Sequence, residues 1–225
     1  TDMLRGADPG RNFILLAALS TIVAAVGLLQ DNVAVVIGAM VIAPLLGPNL
    51  SFAFAVAIGD RDLMGQAIRT SATGLFITLL IAIALGVVWP YDLESKELLD
   101  RTEVGYGSLA LALASGAAAA LSITTGVSTA LVGVMVAVAL LPPAAALGIM
   151  TGAGQFDLAI GSAILLAANV VSVILTAQFI FIFRGIGPRT WWERKRARAS
   201  IVLNFWLLGS FMVVLAVLIY LEGKL

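Results

Sequence analysis

Val36-Ile-Gly-Ala-Met-Val-Ile-Ala-Pro-Leu-Leu-Gly-Pro48 recurs without a gap 95 residues further on, as Leu131-Val-Gly-Val-Met-Val-Ala-Val-Ala-Leu-Leu-Pro-Pro143. Gly38, Met40, Val41, Leu45, Leu46 and Pro48 return as Gly133, Met135, Val136, Leu140, Leu141 and Pro143, and Gly59, Asp62 and Leu63 return as Gly154, Asp157 and Leu158. Alanine and leucine coincide easily between apolar segments, so the glycine, methionine, proline and aspartate matches carry the argument. Each copy is an uncharged run interrupted by proline beside glycine or a second proline. Proline removes a backbone donor and clashes with the preceding turn, freeing carbonyls that lipid cannot satisfy.

Working outward, the chain has 225 residues, 61% of them hydrophobic and only 12% charged, against roughly 45–50% and about 25% in soluble domains. A water-soluble globule, a nucleic-acid-binding protein and a disordered chain are excluded. With no cysteine and no histidine, thiol nucleophiles, disulfides, imidazole acid–base catalysis and ordinary zinc, copper or haem ligation are absent. Thirteen basic residues balance thirteen acidic ones, so net charge names no partner, and no cofactor is expected.

About 20 apolar residues cross a bilayer as a helix. Seven segments qualify: 12–30, 33–59, 63–89, 107–125, 127–150, 156–183 and 201–220. Membrane strands would alternate in polarity over roughly 10 residues, and these runs do not. The expected fold is therefore all-α and polytopic: a repeat over 12–89, an acidic extramembrane loop over 90–106, a second repeat over 107–183, a basic cytoplasmic loop over 184–200 and a seventh helix over 201–225. Residues 1–11 form a cytoplasmic segment, and the chain opens at Thr1 without methionine, so sequence upstream is expected. The basic loop holds six of the thirteen basic residues and is expected on the cytoplasmic side of the cell membrane. Thr190 is placed to cap an interfacial helix there.

Two topologies fit the repeat. If the broken middle segments span, there are seven helices and the repeats are inverted; if they are re-entrant hairpins, five helices span and the repeats are parallel. Lysine and arginine counts are equal for both. The acidic loop reads better outside, which favours seven.

Paired glycine/proline-interrupted segments at matching positions of two halves are the sequence mark of a transporter site. Pro44, Gly47 and Pro48 in one half, with Pro142 and Pro143 in the other, are the candidate backbone elements of a ligand site. Asp31, Asn32, Asn49 and Asn169 are the amides and carboxylate nearest the breaks in sequence and the candidate polar lining. Each has a plainer reading. Asp31 or Asn32 caps the helix starting at Val33, and Asn169, followed by Ser172, Thr176 and Gln178 at helical spacing, makes interhelical hydrogen bonds. Asp60 and Asp157 read as caps. Metal ligation is left open. A small ion or polar solute is the expected partner besides the lipid bilayer, and the abundance of glycine and alanine admits a homo-oligomer. Nucleic acid is not expected.

Gly27-Leu-Leu-Gln-Asp-Asn-Val-Ala-Val-Val-Ile-Gly-Ala-Met-Val-Ile-Ala-Pro-Leu-Leu-Gly-Pro48 resembles the core of a prokaryotic membrane family known as domain of unknown function 389, over about residues 12 to 183. The resemblance implies a multi-spanning membrane domain, in that family often preceded by a soluble region, and implies no activity. An enzyme is not expected. Tyr91-Asp92 and Gly59-Asp60 resemble parts of aspartyl intramembrane protease motifs, but residue 57 is alanine and both pairs lie at segment ends; a rhomboid-type serine protease lacks its histidine. The alternative to transport is an anchor or signalling subunit for an N-terminal soluble domain.

Overall fold

The computed structural model describes residues 9–89, 95–125, 129–187 and 191–222, and every regular element among them is a helix. In chain order these are α1 (Arg11–Leu29), α2 (Val33–Ile42), α3 (Leu46–Ile58), α4 (Arg61–Val88), α5 (Lys96–Leu99), α6 (Tyr106–Thr125), α7 (Thr129–Gly152), α8 (Phe156–Phe183) and α9 (Trp191–Glu222). α1, α4, α6 and α8 are each long and apolar enough to cross a bilayer, and the bent pair α2–α3 is a broken span or a re-entrant loop. The chain is a multi-pass membrane protein.

Helix directions follow from named contacts. α1 and α4 run the same way, because a side chain at Gly74 would meet the ring of Phe13 and Thr21 hydrogen-bonds Thr78 at 3.1 Å. α4 and α7 also run the same way, with Ala82 against Gly148 and Val87 against Gly152. α8 turns back from α7 through Gly154. α6 runs alongside α8, with Gly116 against Val173.

The first break forms where the sequence places it. Ala43 is extended (φ −64°, ψ 125°), as the residue before proline prefers. The chain re-enters a helix at Leu46, and α2 and α3 meet at 51°. Pro48 falls in the first turn of α3, where its missing N–H has no intrahelical acceptor to lose.

The expectation of a second broken segment is not met. α7 is one helix of 24 residues with Pro142 and Pro143 inside it. The residue matching Pro44 is Ala139, so nothing forces an extended residue there. The carbonyl that Pro143 leaves without an in-helix donor is that of Ala139, and it accepts from Asn169 Nδ2 at 2.7 Å. The interfacial basic segment also differs from expectation: residues 191–200 are helical and continue into the apolar stretch as the 32-residue α9. Thr190, Tyr91 and Asp92 lie outside the described residues.

Contacts in one half recur in the other at the 95-residue offset. Gly59 (φ 78°) and Gly154 (φ 75°) both adopt the left-handed conformation that glycine tolerates. In each case the next N–H reaches back five residues, Asp60 to Ala55 and Gln155 to Met150, at 2.9 Å. Thr21 against Thr78 becomes Gly116 against Val173. Gly86 touching the backbone of Ile149 becomes Phe181 edge-on to Phe54, with ring centroids 5.8 Å apart.

The core is built largely of small residues: Ala24, Ala25, Ala39, Ala53, Ala82 and Ala119, among others, are buried. Large apolar side chains such as Phe76 (65% exposed) and Leu80 (60%) face outward, as suits lipid contact. Helix association in lipid relies on close backbone approach through small residues.

Candidate functional site

Between α6, α7 and α8 lies a cavity of about 210 Å³, with Arg101, Ser108, Ser115, Pro143 and Asn169 on its wall and Leu111, Ala112 and Leu165 as its apolar lining. Asn169 stands near the midpoint of α8, 4% exposed. Its Nδ2 is held by the Ala139 carbonyl, while its Oδ1 is buried and has no hydrogen-bond partner. A buried amide oxygen without a donor costs free energy on the order of 1–3 kcal/mol.

Arg101 is also part of the lining. It follows α5, where its guanidinium Nη2 donates to Glu97 Oε2 at 3.3 Å and its Nε is buried without an acceptor. The loop is fixed in place by the end of α1. Asp31, at φ 53°, accepts from the Glu97 N–H at 2.8 Å and from Ser95 Oγ at 3.2 Å. Ser95 Oγ also bonds the Leu28 carbonyl, and Leu98 is fully buried. The Thr102 carbonyl rests against α8 at Gly161, where a Cβ would collide with it.

The repeat explains why the cavity belongs to the second half. Ser108 and Asn169 match Phe13 and Gly74 at the same offset. In the first half the Phe13 ring and Leu45 cover Gly74 so closely that an added Cβ would stand 2.9 Å from the ring. In the second half the ring is replaced by a hydroxymethyl group and the glycine by an amide, and a mostly apolar space remains with Ser108, Ser115 and Asn169 among its lining.

The residues singled out from sequence separate accordingly. Pro143 and Asn169 line the cavity; Pro142 lies beside them within α7. Pro44, Gly47, Pro48 and Asn49 form the α2–α3 break, where Pro48 and Asn49 are buried and Asn49 Nδ2 donates to the Leu45 carbonyl at 2.9 Å. Asn32 caps α2, accepting from the Val35 N–H at 3.2 Å, and Asp31 holds the loop carrying Arg101. Asp60 caps α4 through the N–H groups of Asp62 and Leu63. Asp157 sits in the first turn of α8, whose N-cap is Gln155. Among the described residues, no cluster of three or more carboxylates could hold a metal.

Sequence reasoning passed over Arg101, Ser108 and Ser115. A signal for Ser108 existed: aligning the two copies shows two positions, 13/108 and 74/169, turning polar together in the second half. Arg101 has no such mark, since it reads as one charge in an acidic loop.

A second buried amide lies further along α8. Gln178 is fully buried; its Oε1 accepts from Asn204 Nδ2 of α9 at 2.8 Å, and its Nε2 has no partner. This pair joins α9 to the bundle.

Residues 40–175 match the family described as "Domain of unknown function (DUF389)". The chain is also similar to the "Uncharacterized protein MJ0678" of Methanocaldococcus jannaschii, 34% identical over 213 residues, covering 95% of this chain and 67% of the relative. No solved structure matches. With the family match spanning more than half of the chain and a relative at this identity along nearly its whole length, the protein is a member of the DUF389 family.

Proposed function

We propose that this protein is a transporter-like membrane protein that binds a small polar solute in the cavity between α6, α7 and α8 and passes it across a prokaryotic inner membrane. One observation carries the reading: a cavity beside the Pro143 position of the repeat, with the side chains of Ser108, Ser115 and Asn169 among its lining. In a protein that needed only to be packed, Asn169 could satisfy the Ala139 carbonyl with an apolar wall closed around it.

In this reading the two three-segment repeats are inverted. α1 and α4 run opposite to α6 and α8, while matching contacts recur at the 95-residue offset, which supports a pseudo-twofold axis in the membrane plane. α7 and α9 complete seven spans. Solute sites in inverted-repeat transporters lie near the midplane, where irregular or proline-bearing helices meet. Asn169, halfway along α8, has that depth.

The test is flux in reconstituted vesicles, followed by light scattering after osmotic challenge with glycerol, acetate, glycine or sodium chloride. The expected result is entry of at least one solute with the native protein and none with Ala112→Leu, which fills the cavity from α6. Rates equal to protein-free vesicles for every solute overturn the transporter reading.

The anchor reading has its own observation: the first break is filled, with Phe13 and Leu45 over Gly74 and the Asn49 amide on Leu45. It expects the same protein-free rates.

A further inference from the structure

Resting on the solute-site reading above, we infer that the cavity between α6, α7 and α8 takes a small uncharged diol, a short hydrocarbon chain with a hydroxyl at each end, held between Ser108 and Ser115.

A buried hydroxyl in a helix commonly satisfies itself on the carbonyl three or four residues back. Ser20, Thr21, Ser162, Ser172 and Thr176 all do so, at 2.7–3.2 Å. Ser115, 8% exposed, has no hydrogen-bond partner among the described residues. Its Oγ is not sealed off as Asn169 Oδ1 is, and the residue belongs to the cavity wall. The hydroxyl is therefore turned to the cavity, with a donor and lone pairs to offer. Ser108, half-buried on the same wall, is likewise unpartnered. Asn169 contributes only its bulk, since its Nδ2 is held by Ala139 and its Oδ1 is sealed.

Charge is excluded by the rest of the wall. Among its described residues the one charged side chain is Arg101, already paired with Glu97 at 3.3 Å, and Leu111, Ala112 and Leu165 make the remainder mostly apolar. An ion would leave water here without gaining a counter-charge, at far greater cost than a hydroxyl that keeps a hydrogen bond. A lipid acyl chain would suit the apolar part but leave Ser115 facing a methyl group without a partner. A serine hydroxyl both donates and accepts, and another hydroxyl complements it in both roles.

Dimensions set the chain length. Ser108 and Ser115 are seven residues apart on α6, about two turns, so they share a face and stand roughly 10 Å apart along the axis. A hydrogen bond of about 2.8 Å at each end leaves roughly 5 Å between the solute's own oxygens, the reach of a three- or four-carbon chain. At about 30 Å³ for each water in the liquid, the 210 Å³ cavity accommodates such a molecule. Polyols carrying hydroxyls all along the chain would set them against Leu111, Ala112 and Leu165 without partners.

The experiment uses the absence of native cysteine. Ala112→Cys places one thiol on the cavity wall of the full chain in detergent, and its modification by the small neutral reagent methyl methanethiosulfonate is timed with and without solute. Thermal melting of tryptophan fluorescence checks folding. The solutes share a four-carbon chain: 1,4-butanediol, 1-butanol, erythritol, 4-hydroxybutyrate and 4-amino-1-butanol. The expected result is saturable protection with 1,4-butanediol effective at the lowest concentration. 1-Butanol, lacking one hydroxyl, should need about three- to tenfold more, and erythritol and the two ions at least about tenfold more. Adding Ser115→Ala should bring 1,4-butanediol to the level of 1-butanol and leave 1-butanol where it was. That selective loss separates a ligand contact from a folding defect. Equal or better protection by 1-butanol, erythritol or either ion overturns the diol class and leaves the solute-site reading standing. Protection by none of the five also overturns the class, as does a thiol inert to the reagent in folded protein. The solute-site reading itself falls with protein-free flux rates in vesicles, a separate measurement.

Discussion

At the scale of single residues, Asn169 has two polar atoms with different surroundings. Its amide nitrogen replaces the donor that Pro143 cannot give to Ala139, at 2.7 Å, and its oxygen is buried without a partner. Asn169→Leu removes both. We expect a loss of about 1–3 kcal/mol in stability from the orphaned carbonyl, read as a lowered melting temperature in detergent; an unchanged melt would show that the carbonyl finds another donor. Asp31 is a positioning residue of a different kind. Its left-handed backbone (φ 53°) is one that aspartate and asparagine tolerate better than most, and its carboxylate holds α5 by the Glu97 N–H. Asp31→Ala keeps the strained backbone and loses the acceptor. It is expected to loosen residues 95–102, seen as faster proteolysis or amide exchange confined to that loop, while Asp31→Asn retains both the backbone preference and an oxygen acceptor.

At the scale of elements, the crossing of α4 and α7 rests on glycine. Gly86, Gly148 and Gly152 each bring one backbone against the other so closely that a Cβ would overlap Ile149, Ala82 or Ile83. Gly148→Leu must push the helices apart. Overpacking of this kind costs about 1–3 kcal/mol or more, and the expected readout is a lower melting temperature with loss of the monodisperse peak in size-exclusion chromatography. The corresponding α3–α8 crossing uses the Phe54–Phe181 pair instead and has room for side chains. The two halves thus hold matching places with different means, and the same divergence makes a plug of Phe13 in one half and a cavity of Ser108 in the other. Phe13→Ser is expected to open space at Gly74 without creating the amide, and so to lower stability without adding solute binding.

At the scale of the whole molecule, the directions of α1, α4, α6, α7 and α8 place Gln30 and Glu103 at one end of the bundle and Arg61 and Gly187 at the other. All four are exposed, and the absence of native cysteine makes them clean labelling positions. With the basic segment inside, Gln30→Cys and Glu103→Cys are expected to react with an impermeant thiol reagent on intact cells, and Arg61→Cys and Gly187→Cys only after permeabilisation. Labelling of Arg61→Cys from outside would mean that α2–α3 returns to its own side, and would overturn the inverted arrangement.

Much of this was legible in the chain because lipid imposes one-dimensional rules. Backbone groups must be satisfied within a segment, so long apolar runs read as helices, and the extended Ala43 follows locally from Pro44. The repeat, the capping by Asn32 and Asp60 and the glycine ends at Gly59 and Gly154 are likewise local events written in adjacent residues. What the chain alone left open depends on groups far apart in sequence. Pro142 and Pro143 look as disruptive as Pro44 and Pro48 until Asn169, 30 residues from Ala139, supplies the missing donor. Arg101 is one charge in a loop until Asp31, Leu28 and Gly161 bring that loop to the mouth of a cavity. Helix continuity at a proline and the polarity of a buried wall are both decided by which distant side chain arrives, and only tertiary packing determines that.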